Sequence, residues 1–228
     1  INLNMLSVEV TRKCNLKCEH CLRGDAQNIN ISFKYIDSFL DQITSIGHLT
    51  FTGGEPTLNV PAIRYFVEQA IKKKVKINTF AILTNGIKIN KEFIDVCKLL
   101  YKNAKDPWKG RVVISNDIYH MSQMKYNDKL LKELPYYEKK SKDMYDYDNG
   151  KKVHSEGRGE NITESNLRSG VSLIKSTKTF NENPIYLNVY GKIINGIDWS
   201  YKNQNVYCLC DVENLTNYYK SLPIKKNK

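Results

Sequence analysis

The sequence predicts an α/β fold with a parallel sheet and helices packed outside it. Between Met5 and Asp117, short apolar runs alternate with helix-period stripes and are joined by short loops, the pattern of repeated β-α units. Each run ends in a turn rich in Cys, Gly, Asn or Ser. In parallel sheets the ligand site lies at the C-terminal ends of the strands, so these turns converge on one edge.

Taken in order, Met5–Val10 is the first strand, buried to judge by its β-compatible residues. A loop through about Gly24 follows. Ser32 is placed to cap a helix whose stripe is Phe33, Ile36, Leu40, Ile43 and Ile46, with Gly47 ending it. Leu49–Thr52 is the second strand and runs into Gly53-Gly54. Pro61 suits the first turn of the next helix, which carries Ile63, Phe66, Val67, Ala70 and Ile71. Lys72-Lys73-Lys74 sits at its C-terminal end, where cations favour the helix dipole. Ile77–Leu83 is the third strand and leads to Thr84-Asn85-Gly86. Asn90 caps a helix with Phe93, Cys97, Leu100 and Tyr101 on its apolar stripe, and Arg111–Asp117 is the fourth strand.

The pattern then weakens. Lys125–Lys142 reads as a polar helix broken at Pro135, and Asp143–Asn149 as a loop. Val153–Glu156 and Val171–Phe180 read as further strands. Ile185–Tyr190, Gly191-Lys192 and Ile193–Gly196 form a β-hairpin pattern, and Leu215–Leu222 a terminal helix.

Composition narrows the class. The 228 residues are 41% hydrophobic, enough for a sizeable core and against global disorder. No run approaches a membrane span and no secretory hydrophobic stretch appears, so no membrane partner and a cytoplasmic location are expected. The net charge of +11 favours an acidic partner, although lysines on a solvated surface account for most of it. The basic residues form no stripe interleaved with aromatics, so no nucleic-acid partner is expected.

Cys14, Cys18 and Cys21 follow the first strand in the spacing Cys-x3-Cys-x2-Cys. Three thiols on one short loop suit a metal better than disulfides, which agrees with a reducing compartment. Structural zinc and simple ferredoxin clusters use four protein ligands; three leave one position for something that is not protein. Cys97 lies on an apolar stripe and reads as a core residue, and His120 and His154, which lack a partner pattern, read as structural.

This cysteine motif, followed after a second strand by Gly53-Gly54-Glu55-Pro56, resembles the radical S-adenosylmethionine (SAM) superfamily. The resemblance implies a partial (β/α)6 TIM-like barrel over residues 1–180. It implies that Cys14, Cys18 and Cys21 hold a 4Fe–4S cluster whose fourth iron is chelated by the amine and carboxylate of SAM. One electron then cleaves SAM to methionine and a 5′-deoxyadenosyl radical, which abstracts hydrogen from a substrate. By the same resemblance, Gly53, Gly54, Glu55 and Pro56 serve the SAM amino group. Thr84 and Asn85 lie near SAM, and Ser115, ahead of Asp117, serves its ribose or carboxylate. His20 stands where relatives place an aromatic near the adenine. Arg158, in Gly157-Arg158-Gly159, matches a segment of peptide-modifying relatives and suits the SAM carboxylate.

Residues 181–228 resemble the start of a SPASM/twitch C-terminal extension, here a small β-hairpin/helix extension. Only Cys208 and Cys210 remain in it, so no auxiliary cluster is expected. The resemblance thus implies a SAM-cleaving enzyme acting on a peptide or protein side chain, with a flavodoxin or ferredoxin as electron donor. The alternatives are a viperin-like enzyme acting on a nucleotide or other small-molecule anion, a glycyl-radical activating enzyme, and a non-catalytic iron–sulfur or zinc module.

Overall fold

The computed structural model describes residues 1–115, 118–121, 128–134, 136–139, 156–161 and 184–222. Its described strands form one eight-stranded sheet. Strand β1 (Asn2–Thr11) is central. On one side run β2 (Ser45–Gly53), β3 (Lys76–Thr84), β4 (Arg111–Ile114) and β5 (Tyr137–Lys139), all parallel. On the other side β6 (Ile185–Leu187) pairs parallel with β1, and β7 (Lys192–Asn195) and β8 (Cys208–Asp211) continue antiparallel. Among the described strands the sheet is open, with β5 and β8 as its edges. This is the expected α/β architecture, a partial barrel rather than a closed one.

Alternation along the strands divides the sheet into two chemically distinct faces. Leu6, Val8 and Val10 of β1, Leu49 and Phe51 of β2, and Phe80 and Ile82 of β3 join the apolar core. That core is completed by α1 (Phe33–Leu40), α2 (Val60–Lys72) and α3 (Lys91–Asn103), whose buried residues follow the helical period. The opposite phase, Ser7, Thr50, Thr52 and Ala81, faces a cavity on the sheet's other side. Pro61 stands in the first turn of α2, and Asn90 caps α3 by accepting from the Phe93 N–H at 2.9 Å. Among the described residues, no helix is long and apolar enough to cross a membrane.

Four expectations are corrected. Helix α1 stops at Leu40, so Ile43 and Ile46 are not on it; Ser32 does stand at its N-cap, in extended backbone and without a side-chain cap bond. Gly47 lies inside β2 instead of ending a helix, because parallel pairing of Ser45 with Asn2 and Ile46 with Leu3 starts that strand early. Ile43 and Ile46 kept the helical step because they fill the same core from outside the helix. Within the expected helix Lys125–Lys142, the described residues instead hold a short α5 (Asp128–Leu131) and β5, which pairs with β4. The Asp143–Asn149 loop, residues 153–155 and the strand expected at Val171–Phe180 lie outside the described residues. The fourth strand ends at Ile114; the short α4 (Ile118–Met121) comes next among the described elements. The hairpin is present as β6 and β7, turning at Gly191 with φ 72°. The terminal helix is α6 (Leu215–Ser221).

Phe66 of α2 is fully buried, edge-on to Phe51 at 5.3 Å between ring centroids and 6.5 Å from Phe39. Phe66→Ala is expected to lower the unfolding free energy by about 3–5 kcal/mol, read as a lower denaturant midpoint at unchanged m-value.

Candidate metal centre

The motif after β2 is built to let two backbones touch. Gly53 has φ 147°, and a Cβ on it would lie 2.1 Å from the Thr11 carbonyl oxygen. A Cβ on Gly54 would lie 2.3 Å from the Lys13 carbonyl oxygen. Both glycines are therefore required by close approach. With that approach, the Gly54 N–H donates to Thr11 O at 2.8 Å and the Glu55 N–H to Lys13 O at 2.7 Å. The end of β2 thus grips the chain just before Cys14. The Gly54 carbonyl accepts no hydrogen bond among the described residues, although Gly54 lines the cavity.

Glu55 is buried and its carboxylate accepts four hydrogen bonds. Oε1 takes the Thr57 N–H at 3.0 Å, the Thr57 hydroxyl at 2.6 Å and the Thr84 hydroxyl at 2.6 Å; Oε2 takes the Asn85 N–H at 2.7 Å. Burial pushes its carboxyl above the ordinary range, and these donors, Asn85 foremost, pull it back. Asn85 also donates from Nδ2 to Asn15 Oδ1 inside the cysteine loop at 2.9 Å, and the Ser115 N–H donates to Thr84 O at 2.9 Å. One carboxylate therefore joins the ends of β2 and β3, and Asn85 extends the connection to the loop.

The loop closes on itself through the Cys21 N–H to Cys18 O and the Gly24 N–H to Cys21 O, both 3.2 Å. Its outer side is held by a distant segment. Gly157, at φ 59°, packs so closely that a Cβ would lie 2.5 Å from Leu22 O and 2.6 Å from Cys21 O. The Arg158 N–H donates to Cys21 O at 2.9 Å. Its guanidinium donates from Nε to Cys18 O and from Nη1 to Gly24 O and Asp25 Oδ1, each at 2.8 Å. Arg158 also lines the cavity. Its bonded donors hold the loop, a role that residue type and spacing did not reveal.

The C-terminal segment braces the remaining side. Glu156 accepts from the Ser200 N–H at 3.0 Å and from Asn203 Nδ2 at 2.9 Å. The Tyr201 N–H donates to Arg23 O at 3.1 Å, and Arg23 Nη1 donates to Trp199 O at 2.5 Å. Beneath them Arg12 pairs with buried Glu9 at 2.5 Å and donates to Gln204 Oε1 at 2.6 Å, with its guanidinium over the Tyr201 ring at 4.2 Å.

These supports frame a cavity of about 430 Å³. It brings together Cys14, Cys18, Cys21, His20, Gly53, Gly54, Glu55, Thr84, Asn85, Ser115 and Arg158. Pro56 does not line it; Pro56 is buried in the turn Pro56–Asn59 that Glu55 caps. Asp117 lies outside the described residues. Several lining residues went unrecognised in the sequence: Ser7, Arg23, His48, Asp198 and His120. Strand alternation held the signal for Ser7 and His48, which stand in the polar phase. His120 carried no signal, yet α4 brings its ring to 5.0 Å from His20, which stacks on Tyr119 at 4.4 Å. Cys208 and Cys210, on the edge strand β8, do not line the cavity.

None of the three loop cysteines forms a disulfide among the described residues, and burial pushes the Cys14 thiol above its ordinary range. Three cysteines of one loop, lining one cavity with the Gly53-Gly54-Glu55 and Thr84-Asn85 turns, fit a metal centre whose last ligand comes from a bound molecule. The donor set therefore fits a 4Fe–4S cluster held by three thiolates, with SAM in the cavity.

Residues 8–105 match the family model described as the Radical SAM superfamily. GTP 3′,8-cyclase of Clostridium acetobutylicum is 37% identical over 125 residues, covering 51% of this chain and 35% of that protein. An uncharacterized protein of Methanocaldococcus jannaschii is 31% identical over 99 residues, covering 42% of this chain and 35% of that protein. The chain thus spans about a third of the length of these curated relatives. The structure of native anSMEcpe with bound AdoMet and Cp18Cys peptide shares the fold, with TM-score 0.55 and 14% identity, over 97% of this chain and 80% of that one.

Glu55→Gln would set an amide NH2 or a lone acceptor against donors that now share two carboxylate oxygens. It is expected to cost about 1–3 kcal/mol of stability in denaturant titration. Arg158→Ala is expected to leave the core fold intact by circular dichroism while iron retained after desalting falls below that of the parent protein.

Proposed function

We propose, from the premise that residues 8–105 form a radical SAM domain, that this chain is an enzyme that uses SAM and a 4Fe–4S cluster to abstract hydrogen from a substrate. The observation that carries the reading is the convergence of Cys14, Cys18 and Cys21 with the Gly53-Gly54-Glu55 and Thr84-Asn85 turns on one cavity. When bound, the cluster supplies one electron that cleaves SAM to methionine and a 5′-deoxyadenosyl radical.

The chain's own residues have separable tasks. Cys14, Cys18 and Cys21 are the cluster ligands. Gly53 and Gly54 let the backbone approach closely, and the Gly54 carbonyl offers an acceptor to an ammonium group. Glu55 and Pro56 hold that segment in shape. Thr84, Asn85 and Ser115 provide the polar wall for SAM, with Asp117 assigned beside them by sequence. His20 contributes a ring surface toward the adenine. Arg158 is assigned to the SAM carboxylate from its place on the cavity wall, and it also fixes the loop that presents the cluster. Residues 1–180 are taken as the core and 181–228 as the extension that braces it. The net charge of +11 suits an acidic electron donor such as flavodoxin or ferredoxin.

For the substrate we favour a peptide or protein side chain, on the resemblance of the Gly157-Arg158-Gly159 segment and the hairpin to peptide-modifying enzymes. A nucleotide is the second reading. It is supported by the GTP 3′,8-cyclase similarity and by Arg23 on the cavity wall, whose guanidinium suits an anionic group.

Anaerobic reconstitution with iron and sulfide, followed by SAM and a strong reductant, is expected to yield 5′-deoxyadenosine. Cys18→Ala should reduce that yield to background. Equal yields from the two proteins would remove the enzymatic reading, and stimulation by a nucleoside triphosphate would move the substrate to the second class.

A further inference from the structure

We propose that His120 closes the open coordination position of the cluster while SAM is absent, and that SAM binds by displacing it. The inference rests on the cluster reading above and adds a protein ligand to it. The ligand atoms of Cys18, His20 and His120 lie within 4.8 Å of one another. They share the cavity with Cys14 and Cys21. Imidazole is a nitrogen donor suited to iron, and this ring stands beside one of the three thiols.

Of the two imidazoles, His120 is the better placed to act as an exchangeable ligand. The His20 ring is stacked on Tyr119, meets His120 edge-on and has a buried Nδ1. It also belongs to the same tight loop as the three thiols, closed by the bonds at Cys21 and Gly24. His120 arrives from α4, outside that loop, and is half-buried at the cavity wall. Its approach is independent of the spacing that fixes the three cysteines. The exchange is balanced without electron transfer: an iron–imidazole bond breaks while iron–nitrogen and iron–oxygen bonds to the SAM amine and carboxylate form. The two-point chelate wins over a single nitrogen, and the released ring stays beside His20 at the cavity wall.

A competing internal ligand has a thermodynamic signature. Apparent SAM affinity is lowered by the fraction of protein in which the iron is already closed. Removing His120 therefore tightens SAM binding, whereas removing an ordinary SAM contact weakens it.

The full chain, reconstituted anaerobically and reduced by one electron without SAM, is examined by pulsed EPR. Wild type is expected to show an imidazole nitrogen coupling that changes on 15N-histidine labelling and disappears when SAM is added. His120→Ala and His120→Gln should lose the coupling, retain iron content and bind SAM about 3- to 10-fold more tightly by equilibrium titration. His20→Ala should keep the coupling. A nitrogen coupling that survives both His120 substitutions, SAM binding that weakens in them, or a loaded wild type without any coupling overturns the proposal and leaves the cluster reading standing. A wild type that assembles no cluster overturns both.

Discussion

The site depends on the carboxylate of Glu55. It is one buried charge, and it is tolerated because four donors surround it. Those donors come from the turn after β2 and from Thr84 and Asn85 at the end of β3. The backbone N–H of the same residue bonds to Lys13 at the entrance of the cysteine loop. Three segments that each lack regular structure at this edge are thus joined at one point. Gly53 and Gly54 have a complementary role: they remove the side chains that would keep β2 away from Thr11 and Lys13.

A second buried charge, Glu9, holds the opposite side. Its burial raises its pKa, offset first by the neighbouring Arg12 and then by Arg23. Arg12 in turn reaches Gln204, and Gln204 donates back to Glu9 Oε2 at 3.2 Å. A buried pair of this kind contributes little net stability, and removing one partner leaves the other uncompensated. Its structural effect is specific: it fastens the C-terminal segment against the central strand, beneath the cysteine loop.

Much of this was legible before any coordinates. The first four strands, the polar turns at their ends and the cysteine spacing all follow from local periodicity and residue type. Ile43 and Ile46 misled because a residue outside a helix fills the core as readily as one on it. Tyr137–Lys139 was hidden because a three-residue edge strand leaves too short a pattern to read. The duty of Arg158 was illegible for another reason. A guanidinium that donates to carbonyl oxygens looks the same in sequence as any other, and only the position of the loop reveals those bonds. His120 was invisible because its neighbour His20 is brought to it by tertiary packing alone.

The Gly157-Arg158 contact with the cysteine loop also sets an order of events during synthesis. The thiols leave the ribosome before the groups that frame them: Arg158 follows Cys18 by 140 residues and Gln204 follows Glu9 by 195. Contacts so far apart in sequence form late, after the intervening chain has been made. The nascent loop therefore exists first as an unframed set of thiols. It gains its final shape only once residues 156–161 and 199–204 have docked, so the frame around the thiols is a late product of folding.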